Sequence, residues 1–234
     1  TLKLKHMSNI GEFKQDFGSP MIEVKIDKKN SKIHIIDQGV GMTENEVKKY
    51  INEVAFSGAE EFIEKYKDTA KDSGIIGHFG LGFYSAFMVS DSVEIITKSF
   101  KKSPAVHWSC DGSPEFTLVK SDKKDRGTEI ILNISKDSKS FLDDNTITEL
   151  LKKYNRFMPI PIKFGTKEIT KKTGEGEKEK EVKETVDNII NITEPAWTKK
   201  PKDLKEDDYK TFYKDLYPMN FEDPLFNIHL NVDF

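Results

Sequence analysis

The sequence lacks features that would tie it to an oxidising or membrane environment. A single cysteine, Cys110, excludes an internal disulfide and fits a reducing compartment, so a cytoplasmic location is expected. No segment approaches the run of about 20 apolar residues that spans a bilayer. Basic residues do not exceed acidic ones, because 37 against 40 give a net charge of −3. The composition therefore predicts neither a membrane nor a nucleic-acid partner.

The N-terminus also lacks the apolar core of a signal peptide. The chain starts at Thr1 rather than Met, and its first residues have the pattern of the end of a helix. We therefore expect a fragment whose beginning is missing. Its 234 residues suffice for one full domain and part of a second.

What is present is an alternation of short strands and amphipathic helices. Residues 21–37 predict a hairpin, and Thr43 with Glu46 forms a capping box that opens a helix. A short buried helix is expected over 83–89, followed by four strands within 90–135. A helix starting at Asp143 or Asp144, a strand near 159–164, a helix over 204–217 and a strand region from 223 complete the pattern.

One segment breaks this pattern. Residues 166–187 hold thirteen charged side chains, and the aliphatic residues among them are few. Such a stretch buries too little apolar area to offset the entropy of ordering, which predicts a flexible charged linker over 165–187. A solvated hairpin is the alternative at the edges of the segment. The predicted organisation is then a first domain over 1–164, incomplete at its start, and the beginning of a second over 188–234.

The first chemistry-bearing motif is D-x-G-x-G, formed by Asp37, Gly39 and Gly41 after a strand. A carboxylate at a strand end, beside glycines that let a ligand approach, can accept a hydrogen bond from an amine such as that of adenine. A plain turn is the alternative, since Asp and Gly fill turns in many proteins.

A second motif, G-x-x-G-x-G, is formed by Gly77, Gly80 and Gly82 ahead of the predicted helix. Backbone N–H groups at such a position suit a phosphate. The order of these glycines does not match the dinucleotide-binding fingerprint, and no Gly-Lys-Ser/Thr follows as a Walker loop requires.

The third piece, Gly127-Thr128, opens an apolar strand and alone is more typical of a hairpin. In this order and at these separations, however, the three motifs together resemble the GHKL ATP-binding superfamily. "IDQGVGMT", "SGIIGHFGLGFYSAFMVSDSV", "RGTEIIL" and "PAWTKKPKDLKEDDYKTFYKDLY" are similar to the 90-kDa heat-shock chaperones, in particular their bacterial form. The resemblance covers nearly the whole chain.

The resemblance implies an α+β fold: a two-layer α/β sandwich with a mostly antiparallel sheet, followed by the start of a second α/β domain. It implies that Asp37 holds the adenine amine, partly through water shared with Thr128 and Gly41. It also implies an ATP or ADP site in which further residues contact the base and sugar, contact the phosphates, or supply a positive charge. The base and sugar would be lined by Met42, Ile51, Phe83 and Ile95, the phosphates would be met by the backbone of Gly80, Leu81 and Gly82, and Lys3 would supply a positive charge at the phosphate end.

The resemblance further implies a mobile lid over 57–82 and an ATP-dependent chaperone that acts on client proteins as a homodimer with Mg²⁺. The family's general base, a Glu, and its magnesium ligand, an Asn, are expected upstream of Thr1, and the arginine that senses the γ-phosphate beyond Phe234. No catalytic or metal-binding residue is therefore assigned within the chain, and we expect it to bind nucleotide weakly and hydrolyse ATP poorly. Phe56 stands where many relatives carry a lysine that reaches phosphate.

Two alternatives from other classes stay open. One is a different GHKL ATPase, such as a kinase or a part of a topoisomerase. The other is a non-catalytic interaction module in which the glycines only make turns.

Overall fold

The structure is a computed structural model that describes residues 1–13, 18–52, 82–173 and 180–230. The helices are α1 (Leu2–Asn9), α2 (Glu44–Val47), α3 (Asp144–Tyr154) and α4 (Glu206–Leu216). A π-helical turn, Lys48–Asn52, continues α2, and 3₁₀ segments span Gly82–Met88, Lys136–Leu142, Ala196–Thr198 and Pro201–Asp203. The strands are β1 (Ile22–Asp27), β2 (Lys32–Asp37), β3 (Ser90–Lys98), β4 (Ala105–Cys110), β5 (Thr117–Ser121), β6 (Gly127–Ile134), β7 (Ile162–Thr173) and β8 (Lys180–Ile189).

These strands form one sheet in the order β5-β4-β3-β6-β2-β1-β7-β8. Every neighbouring pair is antiparallel except β1 and β7, which run parallel. The predicted hairpin is β1–β2, and the four predicted strands are β3 to β6. The predicted α+β class with a mostly antiparallel sheet is therefore confirmed.

The sheet carries α2 and α3 on one face, where alternate residues of the strands are apolar. Towards β1, Val24 and Ile33 pack with Ile147 of α3. Towards β4, the Trp108 cluster contains the buried residues Val47, Val93, Ile95, Val106 and Trp108. Alternation along a strand sends successive side chains to opposite faces, so the same strands present a different set of residues on the other side.

The opposite face of the sheet carries charged and polar side chains beside Ile36, Ile96 and Ile131. Glu94 accepts hydrogen bonds from Lys32 at 3.1 Å and Asn133 at 3.0 Å, and it lies 2.9 Å from the His107 ring. Burial by itself would raise the pKa of Glu94, but the hydrogen bonds from Asn133 and Lys32 outweigh it and hold the pKa below its ordinary value. Glu94 is thus paired with side chains from the neighbouring strands.

The capping box predicted at the start of α2 is confirmed. Thr43 accepts from the Glu46 backbone N–H at 3.3 Å, and the Glu46 carboxylate accepts from the Thr43 N–H at 2.8 Å. The cap fixes the end of the loop that follows Asp37, and it anchors the helix that carries Val47 into the Trp108 cluster. Asp143 likewise caps α3 by accepting from Thr146.

Replacing Thr43 by alanine is expected to lower the free energy of unfolding by about 1 kcal/mol, because the Glu46 N–H loses its acceptor. Urea denaturation measures this change. Thr148→Ala is the matched control: its hydroxyl bonds to the Asp144 carbonyl within α3, and alanine is the better helix former. Equal losses in the two variants would show that the cap contributes nothing of its own.

The charged segment forms a hairpin in its described part. β7 and β8 pair antiparallel from Lys163↔Ile189 to Thr173↔Lys180, with residues 174–179 outside the described residues. At its base, Lys163 bridges Glu23 at 3.0 Å and Asp187 at 2.9 Å. The hairpin alternative therefore describes residues 165–173 and 180–187, whereas the division of the chain into domains stays a prediction.

Two expected elements differ from the structure. Residues 82–88 form a 3₁₀ helix with no fully buried residue, rather than a buried helix. Residues 223–230 contain no strand, and Leu225 is 99% exposed there. Without a neighbouring strand, an isolated apolar segment has no partner for its backbone groups.

Among the described residues, no helix is long and apolar enough to cross a bilayer.

Candidate functional site: a polar row at the edge of the apolar face

The candidate site is built on the register of three neighbouring strands. Asp37, the last residue of β2, lies directly opposite Thr128 of β6. Thr128 in turn lies opposite Thr97 of β3. Residues directly opposite in antiparallel strands project from the same face with Cβ atoms about 5 Å apart. Asp37, Thr128 and Thr97 thus form a polar row beside the apolar row of Ile35, Ile130 and Ile95.

The two threonine hydroxyls of this row are hydrogen-bonded to each other. Their Oγ1 atoms are 2.9 Å apart, Thr97 is fully buried and Thr128 is 8% exposed. Thr97 Oγ1 also accepts from the Met42 backbone N–H at 2.9 Å, and it lies 3.3 Å from the Gly127 carbonyl oxygen. Thr97 ties the loop after Asp37 to the strand that carries Thr128.

Sequence reasoning missed Thr97. The available signal was the alternation Val93, Ile95, Thr97, which places a hydroxyl at an inward position where the pattern calls for an apolar side chain. A buried hydroxyl needs a hydrogen-bond partner, so a threonine at such a position indicates a polar site nearby.

The Asp37 carboxylate is partly exposed and partly held by the loop that follows it. Its Oδ1 accepts from the Gly39 N–H at 2.5 Å and lies 3.4 Å from the Thr1 hydroxyl, and the side chain is 31% exposed. Among the described residues both hydrogen bonds go to Oδ1. An ionised carboxylate oxygen such as Oδ2, which has no hydrogen-bond partner within the described part of the chain, can accept from an amino group.

Two glycines allow the backbone around Asp37 to pack closely. Gly41 has φ +61°, and a Cβ at this position would lie 1.9 Å from the Lys98 carbonyl oxygen. Gly127 has φ +123°, and a Cβ there would lie 2.1 Å from the Asp37 carbonyl oxygen. Only glycine fits both the conformation and the space at these positions. The glycines of two predicted motifs thus bring the Asp37 loop against β3 and β6.

An apolar wall adjoins the polar row. Met42, Ile51 and Phe83, all predicted to line the base and sugar, pack against the Trp108 cluster, of which Ile95 is a member. Phe83 meets the Trp108 ring edge-to-face with centroids 5.7 Å apart. Ile95 is only 1% exposed, so it supports this wall from within the core.

Hydrogen bonds fix the two helical segments that form the wall. The Trp108 indole N–H donates to the Asn52 side chain at 2.8 Å. The Tyr84 hydroxyl donates to the Ile51 carbonyl at 2.9 Å, which joins the 82–88 segment to the turn after α2. These two hydrogen bonds hold the segments that carry Ile51 and Phe83 in place.

The predicted phosphate-binding residues are only partly described. Gly80, Leu81 and Phe56 lie outside the described residues, as does the predicted lid except for Gly82. Gly82 is exposed at the start of the 3₁₀ segment, and a Cβ there would meet no atom within 4 Å. The structure thus describes the base end of the candidate site more fully than its phosphate end.

Lys3 lies on α1, the helix Leu2–Asn9. Leu4 and Met7 of this helix form a small core with Phe13, against which Val40 and Phe100 pack. Since the Thr1 hydroxyl contacts Asp37, α1 begins beside the carboxylate. The role of Lys3 at the phosphate end stays a prediction.

Arg126, which precedes Gly127, is a second residue that sequence reasoning missed. Its guanidinium lies over the Phe13 ring, 5.1 Å from the centroid. Burial lowers the pKa of Arg126, while the charge of Asp37 acts in the opposite direction. The Asp37 carboxylate accordingly lies in the field of a positive charge.

Two known protein families match the chain, one over its first part and one over its last part. Residues 16–139 match the family described as histidine kinase-, DNA gyrase B- and HSP90-like ATPase. The chain therefore belongs to this ATPase family. Residues 166–234 match the family described as Hsp90 protein.

Individual proteins that are similar to the chain in sequence are bacterial chaperones. The chain is 54% identical over 235 residues to the chaperone protein HtpG of Bacteroides thetaiotaomicron and to that of Porphyromonas gingivalis, covering 100% of the chain and 33% of each relative. It is 38% identical over 232 residues to HtpG of Clostridium acetobutylicum, covering 97% of the chain and 36% of that relative. The resemblance to the bacterial 90-kDa chaperones is thus confirmed, and the chain spans about a third of the length of these relatives.

Proposed function

We propose that this chain binds an adenine nucleotide, ATP or ADP, with the base held at the row formed by Asp37, Thr128 and Thr97. The observation that carries this proposal is the register, which sets a partly exposed carboxylate beside a hydroxyl at the edge of an apolar wall. An ionised carboxylate only accepts hydrogen bonds and so suits the exocyclic amine of adenine. The wall that includes Met42 and Phe83 suits a planar apolar ring.

The proposed roles of the remaining residues follow the family resemblance. Gly41 shares the polar contacts of the base, and Ile51 and Ile95 support the apolar wall. The backbone of Gly80, Leu81 and Gly82 and the side chain of Lys3 meet the phosphates. Among the described residues no group of three or more His, Cys, Asp or Glu side chains is arranged to hold a metal ion. Magnesium therefore enters this proposal from the family resemblance alone.

At the level of the whole protein, the proposed function is that of an ATP-dependent chaperone. The support is the match of residues 166–234 to the Hsp90 family and the likeness over the whole chain to proteins named chaperone protein HtpG. Binding and hydrolysis of ATP would drive a conformational cycle on client proteins, in a cytoplasmic homodimer.

Calorimetric titration of the protein with ADP tests nucleotide binding. We expect a single site per chain with a clear preference for ADP over GDP, because guanine presents an oxygen to Asp37 where adenine presents an amine. Heat with neither nucleotide, from a protein whose cooperative thermal melting shows that it is folded, would favour the non-catalytic interaction module.

Hydrolysis of ATP requires a general base in addition to a nucleotide-binding site. Since the resemblance assigns no general base to residues 1–234, we propose that a polypeptide of these residues binds nucleotide weakly and hydrolyses ATP slowly. Phosphate release measured with excess ATP tests this proposal. Turnover within a few-fold of that of the HtpG relatives would show that a residue within the chain activates the water.

A further inference from the structure

Residues 190–192, which follow β8, are held against the loop that leads into β7. At the centre of this contact, Asn191 is 8% exposed, and its Oδ1 accepts from the Ile162 backbone N–H at 2.7 Å. Because a backbone N–H only donates, this bond fixes the orientation of the amide. The Asn191 NH₂ group donates to the Met158 and Ile160 carbonyls, at 2.7 and 2.8 Å. We call this contact the Asn191 clasp.

Backbone hydrogen bonds complete the Asn191 clasp. The Ile190 N–H donates to the Ile162 carbonyl at 2.9 Å, and the Ile192 N–H donates to the Arg156 carbonyl at 2.7 Å. Ile190 also packs against the core cluster that contains Ile162. The clasp thus extends over residues 190–192 and keeps the end of β8 on the sheet.

The loop that leads into β7 also contacts α4, which lies in the region that matches the Hsp90 family. Phe157 of this loop meets the Trp197 ring with centroids 4.5 Å apart, and Trp197 meets the Phe212 ring of α4 with centroids 5.4 Å apart. The Arg156 guanidinium lies 3.5 Å from the Leu216 carbonyl at the end of α4. One loop therefore holds both the clasp and α4.

The Asn191 clasp lies on the row of the sheet that also contains Asp37. Asp37 pairs with Ile22 of β1, and Ile22 pairs with Ile162 of β7. The Ile22 N–H also donates to the Pro161 carbonyl at 2.9 Å. Asp37 is the last residue of β2, whereas Ile22 and Ile162 are the first residues of their strands. The row therefore consists of strand ends, with the proposed adenine contact on one side and Asn191 on the other.

Strand ends open more easily than strand centres, because a terminal residue has paired neighbours on one side only. Asn191 restrains this opening at Ile162, since its amide oxygen accepts the N–H of the first residue of β7. A base amine bonded to Asp37 would restrain the same row from β2. Two contacts that restrain one opening strengthen each other, because each removes part of the entropy that the other would have to remove.

We propose that the Asn191 clasp couples the nucleotide site to the segment that leads into α4: a closed clasp favours nucleotide binding, and a bound nucleotide keeps the clasp closed. This inference rests on the proposed nucleotide site. In the open state residues 190–192 leave the loop, and the Asn191 amide is solvated. Coupling between two equilibria is reciprocal, so a single factor describes the effect of nucleotide on the clasp and of the clasp on nucleotide.

Hydrogen exchange of the wild type with and without saturating ADP measures the first effect. We expect ADP to slow exchange of the Ile190 and Ile192 N–H groups by at least about fivefold. Asp27 and Lys32, which pair at the other ends of β1 and β2, are the internal reference. ADP should slow exchange there by less than about twofold. Equal slowing at both ends of these strands, or no slowing at Ile190 and Ile192, would overturn the inference.

Asn191→Ala measures the second effect. Exchange of the Ile192 N–H should become at least about tenfold faster, because the clasp loses its side-chain hydrogen bonds. The ADP dissociation constant should rise by the factor by which ADP slows exchange in the wild type, within about threefold. A variant with a released clasp and an unchanged ADP affinity contradicts the coupling, and unchanged exchange at Ile192 contradicts the role of Asn191.

Asn188→Ala is the matched control for this substitution. Asn188 lies on β8, and its NH₂ group donates to the Phe164 carbonyl at 3.1 Å, outside the row that contains Asp37. We expect its ADP dissociation constant to stay within about twofold of the wild type. An equal loss of ADP affinity in the two variants would show a general effect of the hairpin rather than an effect of the clasp.

The outcomes also separate this inference from the function on which it rests. A folded wild type that binds no ADP contradicts the nucleotide site itself. A wild type that binds ADP without slower exchange at Ile190 and Ile192 contradicts only the coupling. Should Asn191→Ala fail to fold, the comparison of the two ends of β1 and β2 in the wild type still decides.

Discussion

Gly41→Ala is expected to weaken ADP binding by at least about 100-fold, which corresponds to about 2.7 kcal/mol. The new Cβ would lie 1.9 Å from the Lys98 carbonyl oxygen, at a residue whose φ is +61°. The left-handed conformation alone costs an L residue about 1–2 kcal/mol. The overlap with a backbone atom cannot be relieved by a rotamer change, so the loop must move. Movement of the loop breaks the Met42 N–H bond to Thr97 and displaces the wall beside the base.

Gly165→Ala is the matched control for this substitution. Gly165 has φ +69°, close to that of Gly41, but a Cβ there would meet no atom within 4 Å. This control therefore carries the same conformational strain without the overlap. We expect a loss of about 1 kcal/mol in the free energy of unfolding and an unchanged ADP dissociation constant. ADP binding by Gly41→Ala within about threefold of the wild type would contradict the assignment of the Asp37 loop to the site.

Asp37→Asn is expected to weaken ADP binding by about 10- to 100-fold. A hydrogen bond to a charged group contributes about 1.5–3 kcal/mol, and the amide either loses the charge or turns an NH₂ towards the amine of the base. The amide oxygen can still accept from the Gly39 N–H, so the loop should keep its conformation. Titration calorimetry gives the dissociation constant, and thermal melting checks that the fold is retained.

Glu129→Gln is the control for the removal of a carboxylate. Glu129 follows Thr128 in β6, so its side chain lies on the opposite, polar face of the sheet, 2.8 Å from His34. We expect its ADP affinity to equal that of the wild type. If the two substitutions weakened ADP binding equally, the effect of Asp37 would be one of net charge rather than of contact with the base.

The convergence of Asp37 and Thr128 illustrates what the sequence could predict and what it could not. Each residue belongs to a recognisable motif, and the resemblance assigned both to one site. The feature that joins them is the pairing of β2 with β6, which are about 90 residues apart in the chain. No local pattern encodes that register, since strand order is decided by packing of the whole sheet. The alternation in β3 could mark Thr97 as an inward hydroxyl, but the groups that it contacts depend on the same pairing of distant strands.

The β7–β8 hairpin shows a second limit of prediction from sequence, namely prediction from composition. Its composition argued against order because it offers little apolar area to bury. A β-ladder, however, also satisfies backbone hydrogen-bonding groups, and β7 extends from a strand already paired with β1. The pairing at the base, where Lys163 bridges Glu23 and Asp187, adds to this anchoring. The segment forms a strand because β7 continues from residues that are already paired with β1. The composition of the segment alone does not reveal this pairing.

The most direct test of the account compares ADP with its analogue that lacks the 6-amino group, purine riboside 5′-diphosphate, in the wild type and in Asp37→Asn. If the carboxylate holds the amine, removal of the amine should weaken binding to the wild type by about 10- to 100-fold, but to Asp37→Asn by less than about threefold. Equal losses in the two proteins would show that Asp37 does not contact the amine, and this would contradict the proposed adenine site.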